Sequence, residues 1–225
     1  LGGVPTGLRL IDVSDPSDPS QIGLYAFDQE FEARSLWIQG DVAIVARRTL
    51  DGRGSIELIG VDDPGAPVLI ASHVTDGAIE GAVTTTARAY IITSNRKSGI
   101  ARMEIVDISD LEEMYKISQY SYPDYNDVIG DPGYIAREDT PFLRDITAMG
   151  GHAFTIESHY GTKTGQEEPS HTHLLRAIDV STGEDPMSVA SIEIPHESSG
   201  RIAINGAYLY VAGGGSGIQI VKFTQ

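Results

Sequence analysis

His171 and His173 stand two residues apart, so an extended backbone points their side chains the same way. With His159 and Glu167 or Glu168 near them in sequence, they outline a zinc or copper site of imidazole and carboxylate donors. No further ligand stands at a diagnostic spacing, and H-x-H by itself is most often polar surface. The carboxylates Asp124, Asp127, Asp131, Glu138 and Asp139 offer the oxygen donors that calcium takes, but without EF-hand spacing. They read more simply as a solvated acidic loop. No cofactor is therefore expected; zinc, copper and calcium are the ions these donors would suit. Arg34 and Arg144 each stand six residues before a glycine at a strand turn, with Arg201 one step off that register. At the start of an inner strand, the three would ring a channel mouth and attract an anion. The competing reading pairs each with a neighbouring acid such as Glu32 or Asp145.

Other chemistry is absent from the sequence. With no cysteine there is no disulfide, thiolate metal site or cysteine nucleophile. The chain has no G-x-S-x-G or H-E-x-x-H run, and Ser158 beside His159 does not make a triad. Gly213-Gly-Gly-Ser-Gly217 lacks the following Lys-Ser/Thr of a phosphate loop and reads as a hairpin connection. No catalytic residue is assigned.

The elements that would position these residues repeat. One alternating segment occurs five times, as Leu8–Ser14, Ile56–Asp62, Met103–Ser109, Leu175–Ser181 and Ile218–Thr224. Its fifth position is Asp12, Gly60, Asp107, Asp179 and Lys222, at steps of 48, 47, 72 and 43 residues. Alternation of this kind marks β-strands. Recurrence of the aspartate argues for a structural turn, since a catalytic group would occur once. Before each of the last four copies, two further strands flank Gly40, Ala87, Gly150 or Gly206, and a fourth strand follows the Asp-Pro region. Each repeat is thus a four-stranded antiparallel meander, A-B-C-D, of about 45 residues, the size of one β-propeller blade.

The run Gly7-Leu-Arg-Leu-Ile-Asp-Val-Ser-Asp-Pro-Ser-Asp-Pro19 resembles the LVIVP repeat, a short propeller motif of bacterial and archaeal secreted or surface proteins. Gly60–Pro64, Val106–Asp110 and Ile178–Ser181 carry the resemblance more loosely, with departures at Gly60, Leu111 and Lys222. The resemblance implies an all-β propeller and an extracellular, cell-surface or periplasmic setting, and implies little about activity. The expected layout is a single propeller domain. Strands C and D of a first blade occupy 7–28, full blades occupy 33–75, 81–122 and 142–195, and strands A to C of a last blade occupy 200–225. That is seventeen strands, expected to belong to a six- to eight-bladed ring whose N-terminal blades precede this chain, the alternative being a four-bladed ring closed by this chain alone. Loop insertions at 123–141 and 159–173 both fall at the B–C/D–A end, where binding loops are held by a rigid scaffold. The candidate ligand surface is Arg34, Arg144, Arg201, Tyr125, Asp127, Asp131, Tyr134 and Tyr160. Trp37, the only tryptophan, is expected in blade packing.

Across 225 residues, 16 Lys and Arg face 32 Asp and Glu, a net charge of −16. That balance argues against nucleic acid and against anionic membrane surfaces as partners. No apolar run approaches the length of about 20 residues that a membrane helix needs. The expectation is a non-catalytic secreted or cell-surface module that binds a protein or glycan through its loop-rich face. Two alternatives stand beside it: a metal-assisted hydrolase with its site over the channel mouth, and a structural subunit of an envelope assembly.

Overall fold

The computed structural model describes residues 7–27, 31–49, 52–95, 100–123, 134–136, 142–163, 170–195 and 200–223. They form five antiparallel sheets. The first pairs β1 (Gly7–Asp12) with β2 (Ser20–Ala26). The second runs in chain order through β3 (Phe31–Gln39), β4 (Val42–Thr49), β5 (Gly54–Gly60) and β6 (Val68–Thr75). The third repeats that order with β7 (Ala78–Thr84), β8 (Arg88–Asn95), β9 (Ile100–Asp107) and β10 (Tyr115–Ser121). The fourth adds a short strand, β11 (Tyr134–Ala136), to β12 (Phe142–Met149), β13 (His152–Lys163), β14 (Ser170–Asp179) and β15 (Met187–Ile194). The last holds β16 (Ile202–Asn205), β17 (Tyr208–Ala212) and β18 (Ile218–Lys222). The described residues contain no α-helix, only a 3₁₀ turn at Gly214–Ser216, and no helix long and apolar enough to cross a membrane.

Tight turns keep each meander in order. Gly40 and Gly206 take the first central position of two-residue turns at φ +57°, and Gly150 and Gly151 are both at positive φ in the turn between β12 and β13. L-residues reach that region only with strain, which is why glycine recurs there.

The two-residue period of the strands then stacks the sheets. On β4, Ala43 and Val45 pack toward Leu8 and Tyr25 of the first sheet, while Val42 and Ile44 pack toward Ile79 and Ile91 of the third. On β8, Ile91 faces the second sheet, and Tyr90 and Ile92 face Leu143 and Ile146 of the fourth. Phe154, Ile156 and Leu175 meet Leu209 and Val211 of the last sheet. A strand buried on both faces reads as nearly continuous apolar sequence, as Val42–Ala46 and Ala89–Ile92 do. The inner strands of successive sheets touch one another, β3 with β7, β7 with β12 and β12 with β16. Sheets stacked face to face whose inner strands converge in this way are the blades of a β-propeller. Trp37 packs against the cluster between the second and third blades. Among the described residues no strand of the last sheet pairs with the first, so the blades do not close into a ring.

Two features differ from the sequence reading. Eighteen strands are described where seventeen were expected, the addition being β11 inside the 123–141 insertion. The segment 159–173, expected as a loop, is mostly strand: β13 continues to Lys163 and β14 starts at Ser170, paired out to Gly161↔Ser170. Pairing of the two strands with each other, and of Gly161–Lys163 with β11, overrides the polar composition that suggested a loop.

Candidate functional site

The inner strands of the three complete blades each carry a β-bulge near their start, at Arg34 in β3, Glu80 in β7 and Arg144 in β12. A bulge re-aims the side chain it carries, here toward a neighbouring blade: Arg34 and Arg144 toward the following one, Glu80 back toward the preceding one. Arg34 donates from Nε to the carbonyl of Ile79 (3.1 Å) and from Nη2 to Glu80 (2.9 Å), and its Nη1 lies 3.2 Å from Glu32. Glu80 also accepts from Ser94 Oγ at 2.6 Å and from Arg48, which in turn reaches Glu32 at 2.5 Å. The Arg48 hydrogen bond and the Arg34 charge hold the Glu32 carboxyl below its usual range. Arg34 is therefore neutralised by acids of its own and the next blade.

Arg144 is placed alike but meets different company. Its Nε donates to Ser158 Oγ at 3.0 Å, and its guanidinium carbon lies 6.0 Å from the centre of the Phe142 ring. Its stem runs over Gly200 of the last blade, where an added Cβ would come within 2.7 Å of Arg144 Cβ. Gly200 also sits at φ +72°, so glycine is required twice over. Both Arg144 and Arg201 are exposed, and among the described residues neither forms an ion pair. Asp145 accepts from the Ile202 amide at 3.0 Å. Burial raises its pKa, opposed by backbone hydrogen bonds and by the nearby Arg201 charge.

Behind Arg144, the outer halves of β13 and β14 carry a polar cluster. Ser158 Oγ lies 2.9 Å from His173 Nδ1, with Ser158 4% and His173 6% exposed. A hydroxyl so covered, and already accepting from Arg144, is poorly placed to attack a substrate carbonyl. On the other face, Glu157 takes His159 Nε2 at 3.1 Å and Arg176 through Nε and Nη2, while Arg176 Nη1 donates to Ser188 at 3.1 Å. Burial pushes the Glu157 carboxyl up, but the hydrogen bonds from His159 and Arg176 outweigh it and hold the pKa low. Burial also raises the Tyr122 phenol well above its ordinary range.

The pleat separates the histidines proposed as metal ligands. His159 shares a face with Glu157, whereas His173 pairs with Ser158 on the opposite face. Among the described residues no group of three or more His, Asp or Glu is disposed to hold a metal. His171 pairs with Tyr160 in register, their side chains lying outside the described residues along with Glu168. Tyr125, Asp127 and Asp131 are outside them too, as are Asp124, Glu138 and Asp139. Tyr134 is described by its backbone, which pairs with Lys163, and Ala136 pairs with Gly161. The two insertions thus meet, strand to strand, at one end of the fourth blade.

Sequence reasoning missed the buried charges at the second position of the recurring third strand. Glu57 pairs with Arg47 at 2.5 Å, Glu104 takes His73 at 3.3 Å and the Asp76 amide at 3.2 Å, and Arg176 pairs with Glu157. The signal was present, since that position is Arg9, Glu57, Glu104, Arg176 and Gln219 in the five copies. The recurring aspartates are structural, as read: Asp12, Asp107 and Asp179 accept from the amides of Ser14, Ser109 and Ser181 at 2.8, 2.8 and 2.9 Å. These serine hydrogen bonds lower all three pKa values.

Fold and site together define a β-propeller with one elaborated end. Residues 4–26 and 198–221 match the family model described as LVIVD repeat, which bears out the resemblance carried by the Asp-Pro-rich run. Comparison with curated protein sequences gives no match. Among solved structures the chain is similar to an ACO/RPE65 chimera, with 11% identity, a TM-score of 0.46, and coverage of 92% of this chain and 52% of that one. A variant of that chimera in a monoclinic crystal form gives 11% identity, a TM-score of 0.44, and coverage of 93% and 54%. The chain spans about half the length of each.

Proposed function

We propose that this chain is a non-catalytic β-propeller module, secreted or at the cell surface, that binds a protein or glycan through its loop-bearing end. One observation carries the reading: β11, from one insertion, hydrogen-bonds to β13 of the other. Two long segments that drift neutrally have no reason to build a shared sheet edge, whereas a recognition surface gains rigidity from one. The absence of a nucleophile motif in the sequence and the covering of Ser158 and His173 favour binding over turnover. Location outside the cell rests on the family resemblance.

The test is to shorten the hairpin, replacing residues 161–170 by a two-residue turn, and to compare this variant with the full chain on a glycan array and a surface-protein binding panel. The reading expects ligands retained by the full chain to be lost by the variant, with far-UV circular dichroism and thermal midpoint unchanged. Equal binding by both, or catalytic turnover of a retained ligand, contradicts it.

A further inference from the structure

The same bulge on the inner strand places Arg34 and Arg144 in corresponding positions, yet their surroundings differ in one respect. Arg34 reaches the next blade and finds the Glu80 carboxylate at 2.9 Å. Arg144 reaches the next blade and finds Gly200, with Arg201 adjacent in sequence. Among the described residues no acid takes the corresponding place beside the second arginine, and a further basic residue, Arg201, follows Gly200 in the chain. In a chain carrying twice as many acids as bases, two neighbouring arginines without an ion pair among the described residues are out of keeping with their surroundings. The Nε of Arg144 donates to Ser158, which fixes the guanidinium plane, and its Nη groups, with no hydrogen bond among the described residues, present a two-pronged donor. Asp145 is half-buried, accepts from the Ile202 amide through one oxygen and feels the Arg201 charge, but it forms no ion pair with either arginine.

We infer that Arg144 and Arg201 form a binding site for a carboxylate-bearing ligand, whose carboxylate takes the place beside Arg144 that Glu80 takes beside Arg34. The site lies at the loop-bearing end, so the inference rests on the function proposed above and names the chemistry recognised there. Arginine suits it because a planar carboxylate accepts two parallel N–H bonds. Ligand carboxylates come from uronic-acid sugars or from acidic side chains of a protein, and the recognition is common to both.

The test is calorimetric titration of the full chain, at low ionic strength, with sodium glucuronate, with N-acetylaspartate and with glucose. Saturable binding of either acid, with glucose silent, is expected; which acid binds more tightly identifies the source. Arg144→Gln should weaken it by at least about tenfold, the loss of a charge-assisted bidentate contact. Arg34→Gln, at the corresponding but already neutralised position, should leave it unchanged. Absence of saturable acid binding, equal binding of glucose, or full binding by Arg144→Gln overturns the inference. A silent titration beside hairpin-dependent ligand binding removes only the carboxylate assignment. Carboxylate binding that survives in a chain whose shortened hairpin changes no partner binding removes the broader reading instead.

Discussion

Buried charge is costly unless paired, and Glu157 is the clearest case in the molecule, with no exposed surface and two partners on its oxygens. Arg176→Met should strand that carboxylate and destabilise the chain by about 3–5 kcal/mol, measured by urea unfolding. The double variant Glu157→Gln, Arg176→Met should recover much of the loss. Because the folded-state pKa of Glu157 lies below its unfolded value, its contribution is complete above the ordinary carboxylate range. It is lost as pH falls through the depressed value. Glu157→Gln should therefore flatten the acid limb of a plot of unfolding midpoint against pH and leave the alkaline limb unchanged. A full acid limb in that variant would assign the effect to other carboxylates. These charges were visible as residues but not as partners: strand patterning tells which side chains share a face, not which buried acid meets which base. His159 and His173 make the same point, since their faces depend on hairpin register, and a connection of unknown length leaves register open.

Strands and turns were the most legible level. Alternating runs such as Leu8–Ile11 and Tyr208–Val211, punctuated by glycine, leave little choice but a meander. What the sequence concealed was polar strand: Gly161–Lys163 and Ser170–Thr172 look like loop because their stability comes from neighbours rather than from side-chain burial or propensity. Turn and link glycines also differ in a way only the packing reveals. Gly40 and Gly200 both have positive φ, but an added Cβ meets nothing within 4 Å at Gly40 and meets the Arg144 stem at 2.7 Å at Gly200. Gly40→Ala should cost about 1 kcal/mol, for the backbone conformation alone. Gly200→Ala should cost distinctly more, about 2–3 kcal/mol, because the last blade must also move away from Arg144. Equal losses in chemical unfolding would mean that the contact between these blades is loose.

At the scale of the molecule, each apolar cluster joins only sheets consecutive in the chain, so the fold is a succession of interfaces between neighbours. That order was readable from the spacing of Asp12, Gly60 and Asp107, because a four-stranded sheet buries its faces only against another copy of itself. The meeting of the two insertions was readable only in part. Strand polarity puts both at one end, but the pairing of Tyr134 with Lys163 needs three dimensions. Arg144 and Arg201, exposed and without an ion pair among the described residues, lie at this same end. Amide hydrogen exchange of the full chain, with and without a ligand retained on the array, tests the central claim most directly. The account predicts slowed exchange confined to Tyr134–Ala136, Phe142–Arg144 and the outer halves of β13 and β14, with the turns at Gly40, Thr86 and Gly206 unaffected. Protection at those turns in place of the loop-bearing end would contradict it.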